Sequence, residues 1–282
     1  MAPLGIALAH LAQWNVPLIG PLLTIPVLAG AYVIYLRNMG HCPPAIRLRR
    51  KGLDSLLAGK PGKAEECFRE SMAMLDGSDQ VRSLVCLADA LMDQGRYEES
   101  RECLVRALGL GDPTGSGQGS MADLLLLTRT DPEKAIDMAE QSMELGIHRS
   151  RRDIYFGGGV YNDLLCARYW ARRVQALKQL GRRAEAEQAI GRAERLVEAA
   201  KTEARQTRPR NSILVKLILG GRIANHRALM VATAHWKIGL AFLAMENSSK
   251  AADHFRITRD TDRMGKYRRL AKQQLKLLPP RF

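Results

Sequence analysis

Leu87 to Leu110, LADALMDQGRYEESRECLVRALGL, repeats Lys51 to Met74, KGLDSLLAGKPGKAEECFRESMAM, at a displacement of thirty-six residues. Gly59 falls on Gly95, Ala64 on Ser100, Cys67 on Cys103, Phe68 on Leu104 and Ser71 on Ala107. Each copy carries apolar residues at helical spacing on both sides of a glycine-containing break. Such a segment makes two amphipathic helices joined by a tight turn, with small residues where helices cross and large apolar ones where the hairpin closes. One hairpin alone cannot bury its apolar face. Neighbouring copies must stack, and a fixed period is the mark of such an array.

The pattern extends beyond these two copies. Leu84, Ala88, Leu91, Gly95, Arg96, Tyr97, Ser100, Leu104 and Ala107 form the clearest unit, and Leu48, Gly52, Gly59, Ala64, Phe68 and Ser71 form the one before it. This resembles the tetratricopeptide repeat, a helix-turn-helix unit of about 34 residues with small or aromatic residues at set places. A third, weaker unit starts near Ser116 with Ala135, Ala139 and Ser142. A fourth starts near Ala167 with Trp170, Val174, Leu177, Gly181, Ala186, Ile190 and Ala193, and a fifth near Ala232 with Gly239, Phe242, Ala251 and Phe255. Trp236 sits one place from where the family pattern puts an aromatic residue. No unit ends with the family's usual proline, and the spacing widens after the third unit. HEAT-type arrays share the same packing logic. The resemblance implies an all-α, TPR-like α-solenoid of helix-turn-helix repeats over residues 45–258, in units near 45–80, 81–114, 116–149, 167–200 and 232–258. A basic capping helix and tail follow at 259–282.

Between the units, GSGQGS at 115–120 reads as a flexible connector by composition, and YFGGGVYN at 155–162 as a second glycine-rich joint. Residues 196–231 are expected to hold extra helix, because Ile213 to Leu219 is too apolar to be left in water.

The first thirty-six residues contain no Lys, Arg, Asp or Glu. Trp14 to Leu36 matches the roughly 20 apolar residues that cross a bilayer, so residues 14–36 are expected to form a transmembrane helix. An apolar segment precedes it at 1–13 and a juxtamembrane linker follows at 37–44. A cleaved signal would carry a positive first region, which is missing here. Pro17, Pro21 and Pro26 are better tolerated in a membrane helix than in a soluble one. The basic flank of Arg37, Arg47, Arg49, Arg50 and Lys51 predicts a single-pass protein with its N-terminus outside and the repeat domain cytoplasmic. Five cysteines, odd in number and without a C-x-x-C pair, fit a reducing compartment.

The net charge of +14 conceals a division. Through residue 148 there are 14 Lys and Arg against 18 Asp and Glu, and after it 29 against 11. A basic half attracts polyanions. Its candidate patch is Arg149, Arg151, Arg152, Lys266, Arg268, Arg269, Lys272 and Lys276. Anionic lipid head groups are the nearest such ligand for a tethered domain, and nucleic acid a less favoured one, since few aromatics interleave with the charges.

Catalytic and metal signatures are not legible. The six histidines are scattered, no H-E-x-x-H or paired C-x-x-C occurs, and GKPGK at 59–63 lacks the phosphate-binding arrangement. No acid, base or nucleophile stands out, so no enzyme activity, metal or cofactor is expected.

The family resemblance implies that the first helix of each unit lines a concave groove for a protein or peptide partner. Carried over, the groove places are Arg49, Leu53 and Leu56, then Val85, Asp89 and Met92, then Leu124 and Leu127, then Ala171, Gln175 and Lys178, and finally Trp236, Leu240 and Leu243. The expectation is a membrane-anchored TPR scaffold that recruits a protein partner through this groove, with polyanion binding by the basic half as the alternative.

Overall fold

The computed structural model describes residues 43–150, 158–206 and 213–278, and among them every regular element is a helix. The expected span at 14–36, the segment at 1–13 and most of the linker at 37–44 lie outside the described residues. Among the described residues no helix is long and apolar enough to cross a membrane.

Among the described residues, five helical hairpins follow one another. They are α1 (Pro44–Leu57) with α2 (Pro61–Met72), α3 (Val81–Met92) with α4 (Tyr97–Gly109), α5 (Ser116–Thr128) with α6 (Pro132–Ser150), α7 (Gly158–Gln179) with α8 (Arg183–Gln206), and α9 (Ile213–Ala244) with α10 (Ser248–Thr261). A last helix, α11 (Lys266–Leu277), closes the series. Residues 196–206 extend α8, and 213–231 form the first part of α9.

The turns set the repeat. In each hairpin the first helix ends at a residue with positive φ: Gly59, Gly95, Arg129, Gly181 and Glu246. Five residues later, or six in the third hairpin, comes a fully buried small residue on the second helix: Ala64, Ser100, Ala135, Ala186 and Ala251. These small side chains let the helices cross closely. Across the hairpin, large and small residues are matched to one volume. A Cβ on Gly52 would lie 2.7 Å from the Phe68 ring, and one on Gly239 2.5 Å from Phe255. In both hairpins glycine and phenylalanine are sixteen residues apart, the separation that also links Ala88 with Leu104 and Val174 with Ile190. Both rings are fully buried.

First helices pack against first helices, α3 on α5, α5 on α7, α7 on α9 and α9 on α11, while each second helix packs on the next first helix. From α3 to α11 these helices therefore form one continuous inner layer, the arrangement of an α-solenoid.

The stretch 115–120 is not a connector. Ser116 to Ser120 are the first turns of α5, and Asp112 holds that end by accepting the Gly117 amide at 2.6 Å and the Thr114 amide at 2.8 Å. Its glycines serve close approach. A Cβ on Gly119 would stand 2.8 Å from Ser142 Oγ on α6, and one on Gly115 2.7 Å from the Ser142 carbonyl. Likewise Gly158 opens α7, so the second glycine-rich stretch is helix from that residue onward.

Candidate functional site

The inner layer encloses a cleft of about 1750 Å3. Its lining follows from the turns. Residues thirteen, ten, nine, six, three and two places before the positive-φ residue face one side of each first helix, the i, i+3, i+4, i+7 stripe of helical geometry. Counting back from Gly95 gives Arg82, Val85, Cys86, Asp89, Met92 and Asp93, all of which line the cleft. From Arg129 the same offsets give Ser116, Gly119, Ser120, Asp123, Leu126 and Leu127, and all of these line it too. α7 adds Arg168, Arg172, Gln175, Lys178 and Gln179; α9 adds Trp236, Lys237, Leu240 and Ala244; α11 adds Lys266, Tyr267 and Leu270.

Of the places expected from the sequence, Arg49, Val85, Asp89, Met92, Leu127, Gln175, Lys178, Trp236 and Leu240 come together on this lining. Five do not. Leu56, Leu124 and Ala171 are buried in the core between helices. Leu243 packs against the C-terminal core, and Leu53 is exposed away from the cleft. The miss in the third hairpin has a local cause. Its turn carries Arg129 rather than glycine and is one residue longer, so the register slips by one, and Asp123 faces the cleft where Leu124 is expected.

The floor of the cleft is a charge network that the sequence pattern does not display. Asp123 on α5 accepts from Arg172 Nε at 2.8 Å and Nη2 at 2.9 Å on α7, and pairs with Lys237 Nζ of α9 at 2.7 Å. Burial alone would raise the Asp123 carboxyl, but the Arg172 and Lys237 cations outweigh it and hold it well below the usual carboxylate range. Lys237 is pulled down by burial, an effect that Asp123 offsets only in part. Asp89 on α3 accepts from Ser120 Oγ at 2.7 Å, and burial raises it against the opposing pull of Lys266. Lys266 pairs with Asp93 at 2.6 Å. Cys86, on the same wall, is a thiol pushed up to about 12 by burial, with Asp89 adding to the effect. A thiol so placed is protonated and a poor nucleophile.

Within this network the carboxylates come from α3 and α5 and the cations from α7, α9 and α11, while Arg49 and Arg82 add cations to the N-terminal wall of the cleft. The offset from the turn residue would have located these side chains. Read singly, they look like an ordinary solvated helix face.

The residues of the candidate basic patch fall in different settings where they are described. Lys266 is paired inside the cleft, and Arg269 donates to the Ala58 carbonyl at 3.3 Å. Arg268, Lys272 and Lys276 belong to α11, where Lys272 and Lys276 are exposed. Arg151 and Arg152 lie outside the described residues, and Arg149 belongs to the last turn of α6.

Outside the cleft, His235 of α9 and His254 of α10 share a hydrogen bond between their Nδ1 atoms at 2.9 Å. Burial drives His235 down to about 3, with His254 adding to it, and burial drives His254 down to about 4. The pair is invisible in the sequence because its members sit on two helices, nineteen residues apart. Among the described residues no group of His, Cys, Asp and Glu side chains is arranged to hold a metal ion.

No curated protein matches the chain. Among solved structures it is similar to a Podosopora anserina protein of nearly identical TPR-like repeats, at 14% identity over 78% of this chain and 96% of that one, with a TM-score of 0.41. It is also similar to a tetratricopeptide repeat protein from Parabacteroides merdae, at 18% identity over 84% of this chain and 99% of that one, with a TM-score of 0.33. Residues 81–110, which are α3, its turn and α4, match the family described as Tetratricopeptide repeat. The second hairpin thus matches the tetratricopeptide repeat family, within a series of helical hairpins.

Proposed function

We propose that the chain is a scaffold that holds a segment of a protein partner in its inner cleft and is itself held at a membrane by residues 14–36. The observation that carries the binding part is the convergence of one helix face from each of four hairpins on a single cleft. Repeat arrays use such concave surfaces for recognition. The membrane part rests on the uncharged first thirty-six residues, and their basic flank supports a cytoplasmic repeat domain.

Photo-crosslinkers at two equally exposed residues test the cleft. Leu127 lies in it and is 56% exposed; Val105 lies outside it and is 58% exposed. A partner adduct at Leu127 that is absent at Val105, and lost in Leu240→Asp, is the expected outcome. Equal adducts at both sites refute the cleft. For the anchor, the full chain should resist alkaline extraction from membranes while a chain lacking residues 1–42 is released. Retention of the shortened chain refutes residues 14–36 as the attachment.

A further inference from the structure

The two ends of the inner layer meet. α11 packs on α9 and α10, and its Tyr267, Leu270 and Leu275 join the core of the C-terminal hairpins. Toward the N-terminal hairpins it extends polar contacts. Lys266 Nζ lies 2.6 Å from Asp93 at the end of α3, and Arg269 Nη2 lies 3.3 Å from the Ala58 carbonyl in the first turn, 211 residues away. Gly59 makes room for that guanidinium, since a Cβ there would fall 1.1 Å from Nη2. By contrast, neither Lys266 nor Arg269 belongs to any core cluster.

We infer that α11 is a latch across the cleft, fixed to the C-terminal hairpins by apolar packing and fastened to the N-terminal ones by Lys266 and Arg269. Apolar packing and ionic fastening respond to different conditions. Salt weakens the exposed Arg269 fastening more than the largely buried Lys266–Asp93 pair, and it leaves the α9–α10–α11 core in place. The charged and titratable groups facing Lys266 are Asp89 and Asp93 from α3 and its own neighbour Tyr267, so an opened latch takes the cation away from Asp93 and from beside Asp89, which keeps its Ser120 hydroxyl. The latch itself does not depend on the scaffold reading, and its test needs no partner.

Dyes attached through unnatural residues at Glu70 on α2 and Lys272 on α11, both exposed, report the separation of the two ends in the full-length chain. With Lys266→Gln and Arg269→Gln together, transfer efficiency should fall by roughly a fifth or more, and about 1 M salt, where the screening length is about 3 Å, should lower it in the same direction by less. Helix content should stay unchanged, and Lys266→Arg should keep the original efficiency. Unchanged efficiency in both the double variant and high salt overturns the latch. So does a fall that comes only with loss of helix signal, because that is unfolding rather than opening.

Discussion

The N-terminal and C-terminal hairpins solve the same packing problem with different continuity. From α7 to α11 most buried apolar residues form one cluster, running from Leu164 through Ile190, Ile238 and Phe255 to Ala271, while Tyr169 and Ala176 of α7 pack with α5 and α6. From α1 to α6 they fall into separate groups, one around Leu56, Phe68 and Leu91, another around Val81 and Leu84, a third around Leu104 and Leu125. Hydroxyls sit at the crossings there: Ser71 and Ser83 share a hydrogen bond at 3.1 Å, and Ser100 Oγ donates to the Ala88 carbonyl at 3.0 Å. A repeat array is stable through nearest-neighbour interfaces. The divided half should therefore yield locally and the continuous half as a block.

Removing the two equivalent phenylalanines breaks or confirms that contrast most directly. Phe68→Ala and Phe255→Ala should each cost about 3–5 kcal/mol, read from urea midpoints. Their spread should differ. Hydrogen exchange should rise across α7 to α11 together in Phe255→Ala but remain within α1 to α3 in Phe68→Ala. Exchange spreading into α9 from Phe68→Ala would mean that the two cores are one.

The charge network joins the halves, since Asp123 belongs to α5 and its partners to α7 and α9. Asp123→Asn leaves Arg172 and Lys237 without their counter-charge, and a loss of about 3 kcal/mol is expected. Replacing all three by apolar residues, Asp123→Leu with Arg172→Met and Lys237→Met, should recover most of it. If the single variant is neutral, the network contributes little to joining the halves.

Acid separates the two halves again. His235 and His254 lie only in the C-terminal block, and both fold as neutral imidazoles with pKa values lowered to about 3 and about 4. In the unfolded chain they protonate near about 6.5. Their contribution is thus fully present above about pH 6.5 and falls as pH drops toward 4, by about 2 kcal/mol for each ring at pH 5. Asp123 acts in another window, because a depressed carboxylate keeps its contribution until pH falls below about 3.9. Thermal midpoints between pH 7 and 4.5 should decline in the native chain and flatten in His235→Asn with His254→Gln. An unchanged slope in that variant would assign the acid loss elsewhere.

The hairpins were legible in the sequence because Gly52, Gly59, Ala64 and Phe68 recur as Ala88, Gly95, Ser100 and Leu104, a pattern dictated by local volume and turn geometry. The cleft was legible where that register held: Val85, Asp89 and Met92 sit at fixed offsets from Gly95. It failed at Leu124 because Arg129 hides the turn from a search for glycine. Asp123, Arg172 and Lys237 were illegible for another reason. Their significance lies in the meeting of three helices from separate hairpins, which no single helix face displays.

The smallest effects lie in the turns. Gly95 has a φ of +78° and open space where a Cβ would stand, so Gly95→Ala should cost about 1 kcal/mol through backbone strain alone. Glu246 adopts a φ of +60° with a side chain, and its ion pair with Lys178 at 3.2 Å is exposed and weak. Glu246→Gly should therefore gain up to about 1 kcal/mol, less the added freedom of the unfolded chain. Gly59 has the same backbone as Gly95 but the Arg269 guanidinium above it. Gly59→Ala should thus exceed Gly95→Ala in cost, and only that excess should vanish when Arg269→Gln is combined with it. Equal costs at the two glycines would mean that Arg269 swings aside freely, and the first and last helices would then be joined through Lys266 alone.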